Sequence, residues 1–275
     1  RATIGARATV SASMTAESAL EQSRRCKLAT VSLEQPFAWL RLGWHDLQRA
    51  PLPGLLHGVA VSAFGLVLLW LAHRQFWLLA GAFSGFLLLG PLAATGLYAV
   101  SRAVEQGRQP SLATALAAWH PKDHRLVQFG LLLAAAGTCW VLTSASLITA
   151  FAPHPVRDPL DFLRLVVLDS QSWLFEGWLM LGGVLAAPVY ASSVVAIPLM
   201  LQRRIGLWAA VLTSWRVVLL NPAPMALWGA LLMAITLLGM STLLLGLVVA
   251  VPWLSYASWH AYRDLVPLAD LAEAP

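Results

Sequence analysis

Between Gly54 and Tyr262, long apolar runs alternate with short polar links that are mostly basic. A helix needs about 20 apolar residues to cross a hydrocarbon core of roughly 30 Å. Inside lipid every backbone polar group must be satisfied locally, so such runs must be helical. The pattern therefore predicts spans over 54–73, 76–101, 126–151, 173–201, 224–241 and 243–262, which makes an all-α, polytopic transmembrane bundle of six spans. The first two spans join at Arg74 and Gln75. Between Ala223 and Tyr262 no polar turn interrupts the run, and as one straight helix it would reach about 60 Å, twice the core thickness. A turn over Gly239, Met240, Ser241 and Thr242 divides it in two. One tilted span ending at Pro252, followed by an interfacial helix, is the five-span alternative.

Ahead of the first span, Phe37, Leu40, Trp44 and Leu47 recur at helical spacing, with Arg41, His45, Asp46 and Arg49 elsewhere around the wheel. This predicts an amphipathic helix lying in the membrane interface. Pro51 and Pro53 end it and restart the chain as a membrane helix. Residues 1–35 are small, polar and basic, and lack the apolar core of a signal peptide. They read as an extended or disordered-type arm. The chain begins at Arg1 rather than at Met, which leaves room for sequence before it. The organisation expected is an arm over 1–35, an interfacial helix over 36–53, a bundle over 54–266 and a short tail over 267–275.

Only 11% of the residues are charged against 59% hydrophobic, and the placement of the charges sets an orientation. Arg24, Arg25, Lys27, Arg41, Arg49, Arg102, Arg108, Lys122, Arg125, Arg203, Arg204 and Arg216 all fall on one side of the six-span arrangement. Arg74, Arg157 and Arg164 fall on the other. The positive-inside rule puts the first group, and with it the N-terminus, in the cytoplasm. The net charge of +5 is explained by this bordering of spans, so nucleic acid is not an expected partner. Thirteen tryptophans, among them Trp39, Trp44, Trp173, Trp178, Trp253 and Trp259, read as an aromatic belt at headgroup depth. Cys26 in the basic arm and Cys139 in an apolar run form neither a disulfide nor a metal spacing.

An internal echo is present. Pro91, Tyr98 and Arg102 have the same spacing as Pro252, Trp259 and Arg263, and Pro188 and Pro198 mark the fourth span. Three helical hairpins, each with proline in its second helix, suggest a repeated unit.

Intramembrane ionisable residues are the default place to seek function, and this chain is poor in them. Glu176 sits near the outer end of the fourth span. His57 and His260 fall about one turn from the cytoplasmic ends of their spans, a weak invitation to a bis-histidine haem site. Ser101, His260 and Asp264 could be assembled into a hydrolytic triad, but no nucleophile motif supports it. More coherent is a polar, ion-paired layer beneath the bundle, built from Trp44, His45, Asp46, Arg102, Glu105, Arg108, Tyr262, Arg263 and Asp264. No catalytic or metal site is expected. A partner or lipid interface is expected at Arg24, Arg25, Lys27, Trp39, Trp44, Arg102 and Arg263.

The chain resembles a family of bacterial integral membrane proteins, domain of unknown function 2189. The resemblance rests on Trp39, Gly43, Trp44, His45, Asp46 and Leu47; on His57 and Gly58; on Gly85, Phe86, Gly90 and Pro91; and on Gly96, Tyr98, Ser101, Arg102, Glu105 and Gly107. It continues through Pro198, Ser214, Asn221, Trp228, Leu245, Leu247, Pro252, Trp259, His260, Ala261, Tyr262, Arg263, Asp264 and Leu265, covering roughly residues 30–266. It implies the bacterial cytoplasmic membrane and a helical bundle. Some members are labelled as candidate cytochrome c oxidase subunits; this chain lacks the histidine-rich helices of a haem–copper core, so the label implies at most an accessory role.

The function expected is a non-catalytic accessory or assembly subunit of a larger energy-transducing complex, respiratory or photosynthetic. A small-solute or lipid transporter is the alternative, and a b-type haem protein using His57 and His260 the weaker one. Other membrane subunits and anionic lipids are the expected partners. No cofactor is expected beyond bound lipid. An ordered arm would need contacts from a neighbouring subunit, with Arg24, Arg25 and Lys27 near acidic groups or phosphates, because its own apolar surface cannot offset about 1–2 kcal/mol of ordering entropy per residue.

Overall fold

The computed structural model describes residues 18–72, 94–117, 124–156, 159–169 and 172–269. Apart from one two-residue strand pair, the regular structure of the described residues is helical, with the main helices α1 Gln35–Arg49, α2 Pro51–Ala72, α3 Thr95–Glu105, α4 Leu112–Ala117, α5 His124–Phe151, α6 Leu174–Ser193, α7 Ala196–Gln202, α8 Leu207–Leu220, α9 Pro222–Ser241 and α10 Leu247–Leu265, and short helical segments over 18–25, Pro159–Phe162 and Leu163–Val167. Four helices are long and apolar enough to cross a membrane: Pro51–Trp70, His124–Phe151, Leu174–Gln202 and Pro222–Ser241. They match four of the expected spans within a few residues. Most of the expected span 76–101 lies outside the described residues, and α3 is its visible end.

Two expectations are corrected here. The segment 202–222, read as a loop, contains the apolar helix α8, whose Ala209, Ala210 and Val217 are fully buried. The three arginines around α8 disguised it, because they border the helix or point out of it. The last run is divided as expected just after Ser241, but α10 starts only at Leu247 and runs unbroken through Pro252 to Leu265. The single helix ending at Pro252, from which the five-span alternative was drawn, does not occur.

The main hydrophobic core sits at one end of the bundle rather than between the spans. Trp39, Met200, Ile205, Trp228, Trp259 and Tyr262 are each fully buried there, brought together by α1, α7, the first turns of α9 and the last turns of α10. This end is called the basal layer below. By contrast, in the most apolar stretches of α2, α5 and α9 only 22–28% of the residues are buried inside the chain. Such helices are stabilised by lipid or by other helices, whereas the basal layer is a water-type core, where each buried large side chain contributes about 1.5–3 kcal/mol.

Helix α10 organises the layer. Against it, α2 packs in an antiparallel register marked by small residues every fourth position. A Cβ at Gly54 would meet Pro252 at 3.1 Å, one at Gly58 would lie 2.1 Å from the Val248 carbonyl oxygen, and the Ser62 hydroxyl donates to Leu244 O at 3.0 Å. Pro252 has no N–H to give to the carbonyl four residues before it, which is that of Val248. The carbonyl freed by the proline is the one that the glycine lets α2 approach. Small residues at i, i+4 and i+8 are a membrane packing signal, and one that the hydropathy reading passed over.

Helix α1 crosses the other half of α10, with Gly43 so close to Ala257 that a Cβ would fall 2.5–2.8 Å from its atoms. The expected apolar stripe on α1 is rotated: Leu40 and Leu47 are buried, but so are Pro36, Trp39, Gly43 and Asp46, while Phe37 and Trp44 are exposed. The face read as membrane-facing is therefore partly the face that docks on α10. The chain leaves α1 through Ala50, at φ −128° and ψ 60°, and Pro51 opens α2, where a missing N–H removes nothing.

From residue 18 onward the arm is anchored on the chain's own helices. Residues 18–25 are helical, and Cys26–Lys27 pairs antiparallel with Leu268–Ala269. Gly206 N–H donates to Gln22 Oε1 at 2.9 Å, Thr213 Oγ1 to Ser23 Oγ at 3.0 Å, and Arg216 to the Ser23 carbonyl. Asn221 accepts from Val31 N–H at 2.9 Å and donates to Ala29 O at 3.0 Å. The ordering entropy is offset within the chain, because α8 and α9 supply the polar partners. Residues 1–17 lie outside the described residues.

Candidate functional site

Three carboxylates of the basal layer close on the last turns of α10. Asp46 of α1, only 5% exposed, accepts through Oδ2 from the Ser101 hydroxyl of α3 and stands 2.8 Å from His260 Nε2. Glu105, near the end of α3, accepts from Trp259 Nε1 at 3.1 Å and from Arg263 Nε at 3.1 Å. Asp264 accepts through one oxygen from Gln35 Nε2 and from Trp39 Nε1, both at 2.7 Å. Local sequence places Glu105 well: α3 ends in a Schellman turn in which Arg108 N–H reaches Ala103 O at 2.9 Å and Gly107 N–H reaches Val104 O at 3.0 Å. That turn needs a left-handed residue, and Gly107 supplies it at φ +67°.

The ion-paired layer expected from sequence is thus present in its Asp46, Glu105, Arg263 and Asp264 components, while Trp44 and His45 sit outside it, exposed. The chemistry it can do is limited by its order. A hydrolytic triad needs the imidazole between hydroxyl and carboxylate, so that the ring can take the proton. Here the carboxylate of Asp46 lies between Ser101 and His260, and Asp264 is engaged elsewhere with Gln35 and Trp39. The cluster is a clamp joining three helices.

The two candidate haem ligands do not converge. The register places His57 between Gly54, level with Pro252, and Gly58, level with Val248. His260 lies about three turns further along α10 than the level of His57, about 16 Å at 1.5 Å per residue, and its Nε2 faces Asp46. Among the described residues no three of His, Cys, Asp and Glu gather closely enough to hold a metal ion.

Of the expected interface residues, Arg24, Arg25, Lys27 and Trp44 are exposed, Arg102 and Arg263 are half-buried, and Trp39 is fully buried against Trp228, ring centroids 5.5 Å apart. Trp39 therefore has no surface left to offer a partner. Trp44 packs edge-on to Trp253 at 5.4 Å. Sequence reasoning missed Gln35, Gln202, Asn221, Arg125 and Arg216. Arg125 gives hydrogen bonds to Ile205 O at 2.7 Å and to Arg203 O and Met200 O at 3.3 Å, neutralising the carbonyl end of α7. Gln202 accepts from the Tyr262 hydroxyl. Asn221 before Pro222 carries an N-cap signal, but its side chain ties down the arm instead.

Cys26 is almost fully enclosed. Burial pushes its thiol up from 9.0, against the opposing pull of the Thr213 hydrogen bond and of Arg216 and Arg203. The sign for stability follows: with the folded value raised, the contribution is full below the ordinary thiol range and is lost as pH rises above it, where the unfolded chain ionises first. In a Cys139→Ala variant, maleimide labelling of the native protein at pH 8 is expected to be slower than in SDS by at least about tenfold, since the nucleophile is the thiolate. Equal rates in the two states would contradict the buried placement.

Residues 78–202 match the family described as "Predicted integral membrane protein (DUF2189)". Over this segment the chain is similar to that family. The match takes in α3 to α7 and leaves out α1, α2, α8, α9 and α10, so it covers the Glu105 and Ser101 side of the clamps but not the Asp46, His260 and Asp264 side. No curated protein and no solved structure matches the chain. The protein is an integral membrane protein with several apolar helices, and the likeness to this family brings with it no reaction.

Proposed function

We propose that this protein acts by association, as a non-catalytic accessory or assembly subunit of a larger complex in the bacterial cytoplasmic membrane. The observation that carries the reading is the contrast between its two halves. The basal layer is a closed core whose carboxylates Asp46, Glu105 and Asp264 all serve to hold α10. The spans show outward apolar faces, with Phe64, Trp70, Leu142, Leu179, Met180 and Leu238 all more than half exposed. Such faces suit packing against other membrane helices. The energy-transducing character of the complex rests on the resemblance alone.

In this reading the basal layer faces the cytoplasm, with exposed Arg24, Arg25, Lys27, Arg41 and Arg49 set to meet anionic lipid headgroups. The spacing shared by Pro91, Tyr98, Arg102 and by Pro252, Trp259, Arg263 supports a repeated hairpin unit. Extraction of native membranes with a mild detergent, followed by native electrophoresis and mass spectrometry, tests the proposal. The protein is expected in an assembly well above its own 29.7 kDa, together with other membrane chains. Recovery solely as a monomer or homodimer would sink it.

One observation favours the second reading, a transporter of a small solute or lipid. The break between α9 and α10 stands beside the middle of α2, and broken helices at membrane depth are typical of transport sites. Flux through vesicles holding the purified protein separates the two readings.

A further inference from the structure

We propose that α9 and α10 form a re-entrant hairpin: both arms enter from the basal side, and the tip, 241–246, sits midway through the bilayer without emerging on the far side. The two last expected spans would then be one hairpin that does not cross. The inference rests on α2 being a full span and is independent of the association proposed above.

Helix α2 is the ruler. It starts at Pro51, just after Arg49, and its apolar run ends just before Arg74, so the charges at both ends bracket one crossing. The contacts of Gly54 with Pro252, Gly58 with Val248 and Ser62 with Leu244 step in unison down both helices. The tip is therefore level with Ser62, about 16 Å from Pro51 at 1.5 Å per residue, half of a core of roughly 30 Å. The arms are each as long as a span, yet their outer thirds are embedded in the basal core. Met225 and Trp228 on α9, and Trp259, Tyr262 and Leu265 on α10, are fully buried there. What remains of each arm reaches only mid-membrane.

The chemistry of the tip fits that depth. No Asp, Glu, Lys or Arg occurs between Asn221 and His260, and the exposed side chains at the tip include Leu243 at 74% and Leu245 at 63%. A loop emerging into water would expose these leucines at a cost; in lipid they are favourable. Non-helical backbone at such depth must be satisfied by protein. Ser62 donates to Leu244 O, Ser241 to Leu238 O at 2.8 Å, Thr242 to Gly239 O at 2.9 Å, and Gly246 N–H donates back to Thr242 Oγ1 at 2.7 Å. The backbone N–H groups of Leu244, Leu245, Leu247 and Val248 reach Met240, Thr242, Leu244 and Leu245 carbonyls at 3.0–3.2 Å. Leu243 and Leu244 are left-handed, at φ 54° and 68°, a conformation that costs about 1–2 kcal/mol per residue. The turn stays tight at that cost, and its hydroxyls take the place of the water it lacks.

Single cysteines at Leu243 and Leu245, in a background with Cys26→Ala and Cys139→Ala, test the depth in native membranes and in reconstituted vesicles. Both positions are exposed, so either can report if the other disturbs folding. The expected result is loss of labelling by a membrane-impermeant maleimide from both faces. Nitroxides at these sites should show the high oxygen and low nickel-chelate accessibility found at Phe64→Cys, a neighbouring exposed position on α2. His154→Cys, on the link after α5, is the aqueous control. Labelling of Leu243→Cys from the face that labels His154→Cys, or an aqueous accessibility ratio there, would overturn the proposal and restore two full crossings.

Discussion

Replacing Gly58 with alanine is expected to lower the stability of the protein by about 3 kcal/mol, at the upper end of the usual range for forcing one extra methyl into a packed contact. The added Cβ would lie 2.1 Å from the Val248 carbonyl oxygen and 2.7 Å from its Cα and carbonyl carbon. These are backbone atoms, so no rotamer change relieves the overlap and α2 must lift away from α10. That movement also breaks the Ser62 hydrogen bond one turn on and removes cover from the carbonyl that Pro252 leaves without an intrahelical donor. In detergent the melting temperature should fall on the order of 10 °C. Gly183→Ala is the control, because a Cβ there meets nothing within 4 Å and should leave the melting curve unchanged. A Gly58→Ala protein as stable as the Gly183→Ala one would show that the helices do not approach as described.

The second large effect is expected at Asp46. Asp46→Ala removes the shared acceptor of Ser101 and His260 and leaves two polar groups facing each other across a buried junction of α1, α3 and α10. Leaving such groups without their partner costs about 2–4 kcal/mol when a charged acceptor is lost. Asp46→Asn keeps an oxygen acceptor and should lose less. The pair with His260 is best isolated by a double-mutant cycle. Asp46→Ala combined with His260→Ala should fall short of the sum of the single losses by about 1–2 kcal/mol, the coupling typical of contacting residues. Strict additivity would mean that the contact contributes nothing. Both variants should still insert, since the spans are set by hydropathy and not by this clamp.

Together these expectations place the specificity of the fold in the basal layer and its seam with α2, not in the outward faces of the spans. The chain uses its few acids to fix one helix, α10, against two others, α1 and α3. An associating role needs this division: a rigid end that keeps the helices in place, and apolar flanks open to lipid or to partners.

The class of the protein was legible in the chain, because crossing lipid demands about 20 apolar residues in a row and little else produces such runs. Four of the spans, the break after Ser241 and the helix before Pro51 follow from this and from proline chemistry. Several acids and bases of the basal layer were also legible, since charge at span ends has nowhere else to go. Pairing was not. That Asp46 takes His260 and Asp264 takes Trp39 depends on how α1 crosses α10, and no local pattern encodes a crossing. The stripe of Gly54, Gly58 and Ser62 carried a readable packing signal, but not the identity of the helix it meets. Helix α8 and the anchored arm went unread for a related reason. A short apolar helix between arginines and a polar arm each look like loop until a third element covers them. Hydropathy determines which segments leave water; only the tertiary contacts decide how deep the hairpin reaches, because depth is a relation between α10 and α2 and not a property of either sequence.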